Sequence, residues 1–375
     1  MKTQTLRISF ILMLIAPLFC YSQEKAPHKF YLHAAVDTTF NPQFGEPIRH
    51  WVEFLYETDP DIQKTYWEPS ELESFGGDYC LVCGGIFQYG RATTMKYFSP
   101  YILSVGYIDG LYIIQTMLTQ NPLKLDDSVR KNQNPVTILR IAVEERDGKY
   151  YLKNMLPLET RFWNRYNYGN ITYITEPSVA IDSSDCRRAG AFLDSLSMIW
   201  QGRPYDKQID YYVTRNSHAL NRAAGMDFAF MGSFVGIGLY DAGILLSGRG
   251  NFFYKHELAH MVIPASGNML YTEGMATYFG GSAGYSFVDA KDALRENFYP
   301  VSKEEIDQIL EWRNSLDYYT LGSILIEIII DEKGLSAAKE LAGFDGSDEE
   351  YINKILVMLD FDKSDLLDKI NSILK

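Results

Sequence analysis

Two histidines and a glutamate within five residues, His256-Glu257-Leu258-Ala259-His260, constrain this chain more than any other stretch. An α-helix turns once in 3.6 residues, so side chains at i and i+4 lie on one face, one turn apart. On a helix, His256 and His260 can aim a ring nitrogen at a single point. Neutral imidazole suits Zn²⁺, which takes three protein ligands and keeps one position open where it serves catalysis. Glu257 lies one position round from His256, where it can take a proton from a water at that point without being a ligand itself. The flanking "NFFYK" and "MVIP" give the segment an apolar body, so this helix is expected to be buried.

A third ligand is required, and it is not a histidine. The chain has 6 His, and His260 is the last of them. His28, His33 and His50 are scattered and read as surface or packing residues. The acidic candidate is Glu273 in "LYTEGMATYFGG". The first helix can end at Pro264–Gly267, turn, and be followed by a second, antiparallel helix that returns Glu273 to the same point.

These residues resemble a family. HELAH followed by "EGMATY" resembles the gluzincin zinc metallopeptidases, peptidases of the MA type, many of which carry E-G-x-A-x-Y as their second motif. Tyr319-x-x-Gly322, opening "YYTLGSILIEIIIDEKG", is similar to the Y-x-x-G of the aminopeptidase N catalytic domain. The resemblance covers roughly residues 205–375. It implies zinc held by His256, His260 and Glu273, Glu257 as general base, and Tyr319 (Tyr318 as second choice) donating to the oxyanion. The substrate implied is a peptide or protein. The chain departs from better-known members in three ways. The gap between His260 and Glu273 is shorter, the peptide-anchoring G-x-M-E-N is absent, and Thr277 stands where an Asp often orients a ligand histidine. The Gly-punctuated "GIGLYDAGILLSG" is expected to be an edge strand along which an extended peptide pairs. The rival expectation is a non-catalytic or very narrow-specificity binding protein on a zincin scaffold; the intact Glu257 favours hydrolysis.

The remaining chain reads as α+β. Ile48, Val52 and Leu55 recur at helical spacing. Strand-rich stretches follow, with hairpin turns expected at Asp109-Gly110 and Asp147-Gly148. A helix followed by antiparallel strands over 23–165 is compatible with an NTF2-like or cystatin-like domain of unknown role. Residues 166–375 are expected to form a zincin-like catalytic domain with a small sheet, the HExxH helix and a C-terminal helical subdomain. Residues 1–22 read as a signal peptide: Lys2 and Arg7 precede a short apolar run and a Cys20-Tyr21-Ser22 cleavage context. The protein is therefore expected to be exported, periplasmic or extracellular, with anchoring through Cys20 the competing reading. Losing Lys2 and Arg7 takes the net charge from −13 to −15. An acidic surface argues against nucleic acid as partner. No later run is long and apolar enough to cross a membrane, since "GSILIEIIID" is short and broken by Glu327. Cys80 and Cys83 form a CxxC that, with Cys186, reads as structural or buried thiols.

Overall fold

A computed structural model of the protein describes residues 30–75, 91–120, 135–230, 235–313 and 315–375. The expected leader, with Cys20, and also Cys80 and Cys83 lie outside them. Two compact units emerge: Met1–Arg161 with Asn221–Ser233, and Phe162–Leu220 with Phe234–Lys375. This division falls close to the 165/166 boundary expected from sequence, except that 221–233 return to the first unit. Each unit mixes helices with a mixed sheet.

Among its described residues the first unit begins with β1 (Tyr31–Leu32) and the α-helices α1 (Gly45–Tyr56), α2 (Pro60–Thr65), α3 (Pro69–Phe75) and α4 (Arg91–Tyr97). The strands β2 (Phe98–Ile108), β3 (Leu111–Gln120), β4 (Pro135–Arg146) and β5 (Lys149–Lys153) follow, then α5 (Met155–Glu159). Strands β2 to β5 form an antiparallel meander, and β1 adds in parallel to β2. Both expected hairpin turns are present. Asp109 (φ 53°) with Gly110 (φ 83°), and Asp147 (φ 52°) with Gly148 (φ 73°), take the left-handed pair that matches strand twist. The helix expected over 46–57 is α1, which buries Ile48, Trp51, Val52, Phe54 and Leu55. Trp51 Nε1–H donates to Thr116 Oγ1 of β3 at 2.9 Å, which satisfies the one polar atom of a fully buried side chain. The ninth strand in chain order, β9 (Met226–Ala229), pairs antiparallel with β4. Asp227 ties it there, accepting from Arg140 Nε at 2.9 Å and from Gln115 Nε2 at 2.8 Å.

The second unit carries the HELAH segment. Its strands are β6 (Asn164–Tyr168), β7 (Ile171–Thr175), β8 (Ile209–Val213), β10 (Gly236–Leu239) and β11 (Ile244–Ser247). Their spatial order is β10-β11-β8-β7-β6. The central three are parallel, and each edge strand runs antiparallel to its neighbour. The Gly-punctuated segment is not one edge strand but a hairpin: its first part is the edge strand β10, and its second part, β11, lies inside the sheet between β10 and β8. The helices are α6 (Ser183–Gln201), α7 (Ser217–Ala223, which runs across the unit boundary), α8 (Lys255–Val262), α9 (Met269–Gly280) and α10 (Phe287–Phe298). The C-terminal part adds α11 (Lys303–Glu311), α12 (Leu316–Lys333), α13 (Leu335–Glu340), α14 (Asp348–Leu359) and α15 (Lys363–Leu374).

Helix α12 is apolar on nearly every face and is correspondingly enclosed, burying Leu321, Ile324, Leu325, Ile326, Ile328 and Ile329. Each such side chain contributes about 1.5–3 kcal/mol relative to exposure. Glu327, the polar break in this run, accepts from Lys291 Nζ of α10 at 3.0 Å on both oxygens. No helix among the described residues is long and apolar enough to cross a membrane. Cys186 is a free, fully buried thiol of α6, pushed up to about 12 by burial.

Candidate metal centre

Helix α8 delivers His256, Glu257 and His260, all less than a tenth exposed. The chain then turns through 263–268 into α9. Asn268 caps that helix, its Oδ1 accepting from the Tyr271 N–H at 2.9 Å. Glu273 lies in the second turn of α9, past the end where the helix dipole favours an acid. Its position therefore owes nothing to helix-end electrostatics.

The three residues converge. His256 Nε2 lies 3.0 Å from Glu273 Oε2 and 3.3 Å from His260 Nε2, and His260 Nε2 lies 3.8 Å from Glu273 Oε2. Four ligands placed tetrahedrally around zinc at about 2.0–2.1 Å are separated from one another by about 3.3 Å. The observed triangle fits that spacing, and the donors are the two imidazoles and one carboxylate that zinc accepts. His256 Nδ1–H donates to the Gly281 carbonyl at 2.8 Å, which fixes the ring with Nε2 facing the other two donors. That carbonyl takes the orienting role sought at position 277. Thr277 is fully buried, and its Oγ1 has no hydrogen-bond partner among the described residues. Burial raises the Glu273 carboxyl, but hydrogen bonds from His256 and His260 and their charge outweigh it and hold the group at about 2. It is an anion at neutral pH. For His256, burial lowers the pKa, and the contacts with Glu273 and the charge of Glu257 reverse the sign, leaving it raised.

Glycine explains how α9 and α12 come close enough. A Cβ on Gly274 would sit 2.5 Å from the Gly322 carbonyl carbon, and one on Gly322 would press into the Leu270 carbonyl oxygen and 3.0 Å from the Gly274 Cα. The glycine after Glu273 and the glycine three after Tyr319 are thus the two halves of one helix crossing. At the far end of α9, a Cβ on Gly280 would lie 2.7 Å from the His256 backbone nitrogen. Asp348, buried at the start of α14, joins the N-termini of both crossing helices. Its Oδ1 accepts from Asn268 Nδ2 at 3.0 Å and its Oδ2 from the Tyr318 hydroxyl at 3.0 Å.

That last bond separates the two tyrosine candidates. Tyr318 is fully buried and committed to Asp348. Tyr319 is half-buried, and its ring stacks on His256 with centroids 5.9 Å apart at 16°. Burial, then the charges of Glu273 and Glu257, raise the Tyr319 phenol well above its ordinary value, so it keeps its proton.

One residue of the site carries no sequence signal. Tyr240, in the turn after β10, donates its hydroxyl to Glu257 Oε2 at 3.1 Å and lays its ring 4.7 Å from that of His260. Burial and the charges of Glu257 and Glu273 raise its phenol far above 10. The glycines of β10 make room for such rings: a Cβ on Gly238 would collide with Tyr240, and one on Gly236 with Tyr254. The paired glycines ending "YFGG" were the one visible hint that the end of α9 meets another backbone closely.

Neither a protein-family model nor a curated protein matches this chain.

Proposed function

We propose that the chain is a zinc metallopeptidase of gluzincin type, cutting peptide bonds in a zincin-like second unit. The observation that carries this is the donor triangle of His256, His260 and Glu273, with Glu257 beside it on the same helix and outside the ligand set. When bound, zinc supplies a Lewis acid that polarises a carbonyl and brings the pKa of water towards neutrality. Glu257 takes the proton of the attacking water and passes it to the leaving amine. Tyr240 holds Glu257 Oε2 and leaves Oε1 for that proton. Tyr319 donates to the oxygen on which negative charge develops. Among the described residues no strand pairs with the outer side of β10, and its main-chain groups there can bond an extended peptide.

The test uses purified protein, its metal content measured, incubated with a diverse peptide mixture and read by mass spectrometry. Stoichiometric zinc, with cuts lost on chelation and in Glu257→Gln, is the expected result. Zinc-free protein, or cuts that survive Glu257→Gln, would sink the reading. Full zinc occupancy without any cut would move weight to the binding-protein alternative.

A further inference from the structure

Beside the donor triangle lies a cavity of about 700 Å³ in the second unit. Three of its wall residues touch His256: Gly281 through its carbonyl, and Tyr254 and Tyr319 through their rings. The cavity therefore adjoins His256, although none of the three donors lines it. Its charged lining comprises Arg188, Arg249, Lys255, Asp185 and Asp289.

The carboxylates are already engaged. Asp185 accepts from Arg188 at 2.7 Å, and Asp289 closes the capping box of α10 with Ser286. The cations of Arg249 and Lys255 are not. Neither makes a hydrogen bond or ion pair among the described residues, and both are exposed to the cavity mouth. Lys255 only rests its ammonium 5.3 Å from the Phe253 ring. Two uncommitted cations in one concavity stand out on a chain of net charge −13. Such a concavity concentrates anions while the surrounding surface repels them.

We propose that this cavity binds a carboxylate of the peptide substrate through Arg249 and Lys255, so that cleavage falls close to an acidic side chain or to a free C-terminus. The inference rests on the peptidase reading for its substrate class. The guanidinium can grip a carboxylate with two parallel N–H bonds, and the ammonium adds a point charge.

The probe is a position-scanned octapeptide mixture in which the scanned residue is Glu or Gln, each set prepared with a free or an amidated C-terminus. Retention is measured on zinc-loaded Glu257→Gln protein, and cleavage on wild type. Loss of retention on changing Glu to Gln identifies a side-chain carboxylate; loss on amidation identifies the C-terminus. Arg249→Gln should weaken retention of the carboxylate peptide about 10- to 100-fold and leave the carboxylate-free peptide unchanged, with zinc content intact. Arg249→Lys should recover part of the loss. Equal retention of all four sets, including none, overturns the proposal. Cleavage without carboxylate preference also overturns it while the peptidase reading stands. Carboxylate-dependent retention without cleavage supports it and counts against peptidase activity instead.

Discussion

At the scale of single residues, the proposed function rests on which atoms meet around His256. The i, i+4 rule made His256 and His260 legible because a helix fixes that spacing locally, and Glu257 came with them. Glu273 needed only a helix, a turn and a second helix. Tyr240 was illegible. It reaches Glu257 from the turn after β10, a contact set by tertiary packing and by no sequence periodicity. Its role is testable. Tyr240→Phe should lower kcat about tenfold with KM and zinc content unchanged, because it frees the base to rotate. Glu257→Gln should cost about 10²- to 10⁴-fold in kcat while zinc is retained. Tyr319→Phe should cost about 10²- to 10³-fold, and Tyr318→Phe should leave kcat near wild type while lowering Tm. Steady-state kinetics beside metal analysis separates these outcomes; a Tyr318→Phe enzyme as slow as Tyr319→Phe would reverse the assignment.

At the scale of elements, the site depends on how closely α9 and α12 cross. Gly322→Ala should destabilise the fold by about 1–3 kcal/mol and weaken zinc binding, since the new methyl pushes against the Leu270 carbonyl and carries Glu273 away. Denaturant melts together with zinc titration check both, and an alanine variant with wild-type zinc affinity would refute the coupling. Asp348→Ala should cost about 1–3 kcal/mol by leaving the Tyr318 hydroxyl buried without its acceptor and the Asn268 amide with the Gly346 carbonyl alone. The hairpins were legible for the same reason as the HELAH helix: Asp-Gly pairs tolerate positive φ, and the turn dictates the register. The hairpin of β6 and β7, turning at Gly169 (φ 59°), is not legible in the sequence, because its tyrosines alternate with asparagines and give only a weak apolar pattern.

At the scale of the whole molecule, composition and order of elements gave the α+β class but not the path of the chain between units. Nothing in "MDFA" announces that β9 pairs with β4, nearly ninety positions earlier; a four-residue strand has no periodicity to declare its partner. The first unit also stores a titratable cost. Burial raises the Glu71 carboxyl, against hydrogen bonds from the Asn154 backbone and side-chain N–H groups. The folded state therefore holds this proton more tightly than the unfolded chain. The stability it lends is complete below the ordinary carboxyl value of 4.5 and is lost as pH rises through the raised one. Glu71→Gln keeps an acceptor for Asn154 and should raise Tm at pH 7 but not at pH 4; an equal change at both values would show that Glu71 is not the group responsible.

The return of residues 221–233 to the first unit also shapes how this protein can be inherited and recombined. The chain crosses between units at three joins, 161/162, 220/221 and 233/234, so no single crossover exchanges one unit for another. A swap after residue 161 would leave β4 and β9 descended from different parents, and the Arg140–Asp227 pair across them would have to be matched by chance. Exchange of one unit alone, with its own sheet intact, therefore takes three crossovers, one at each join.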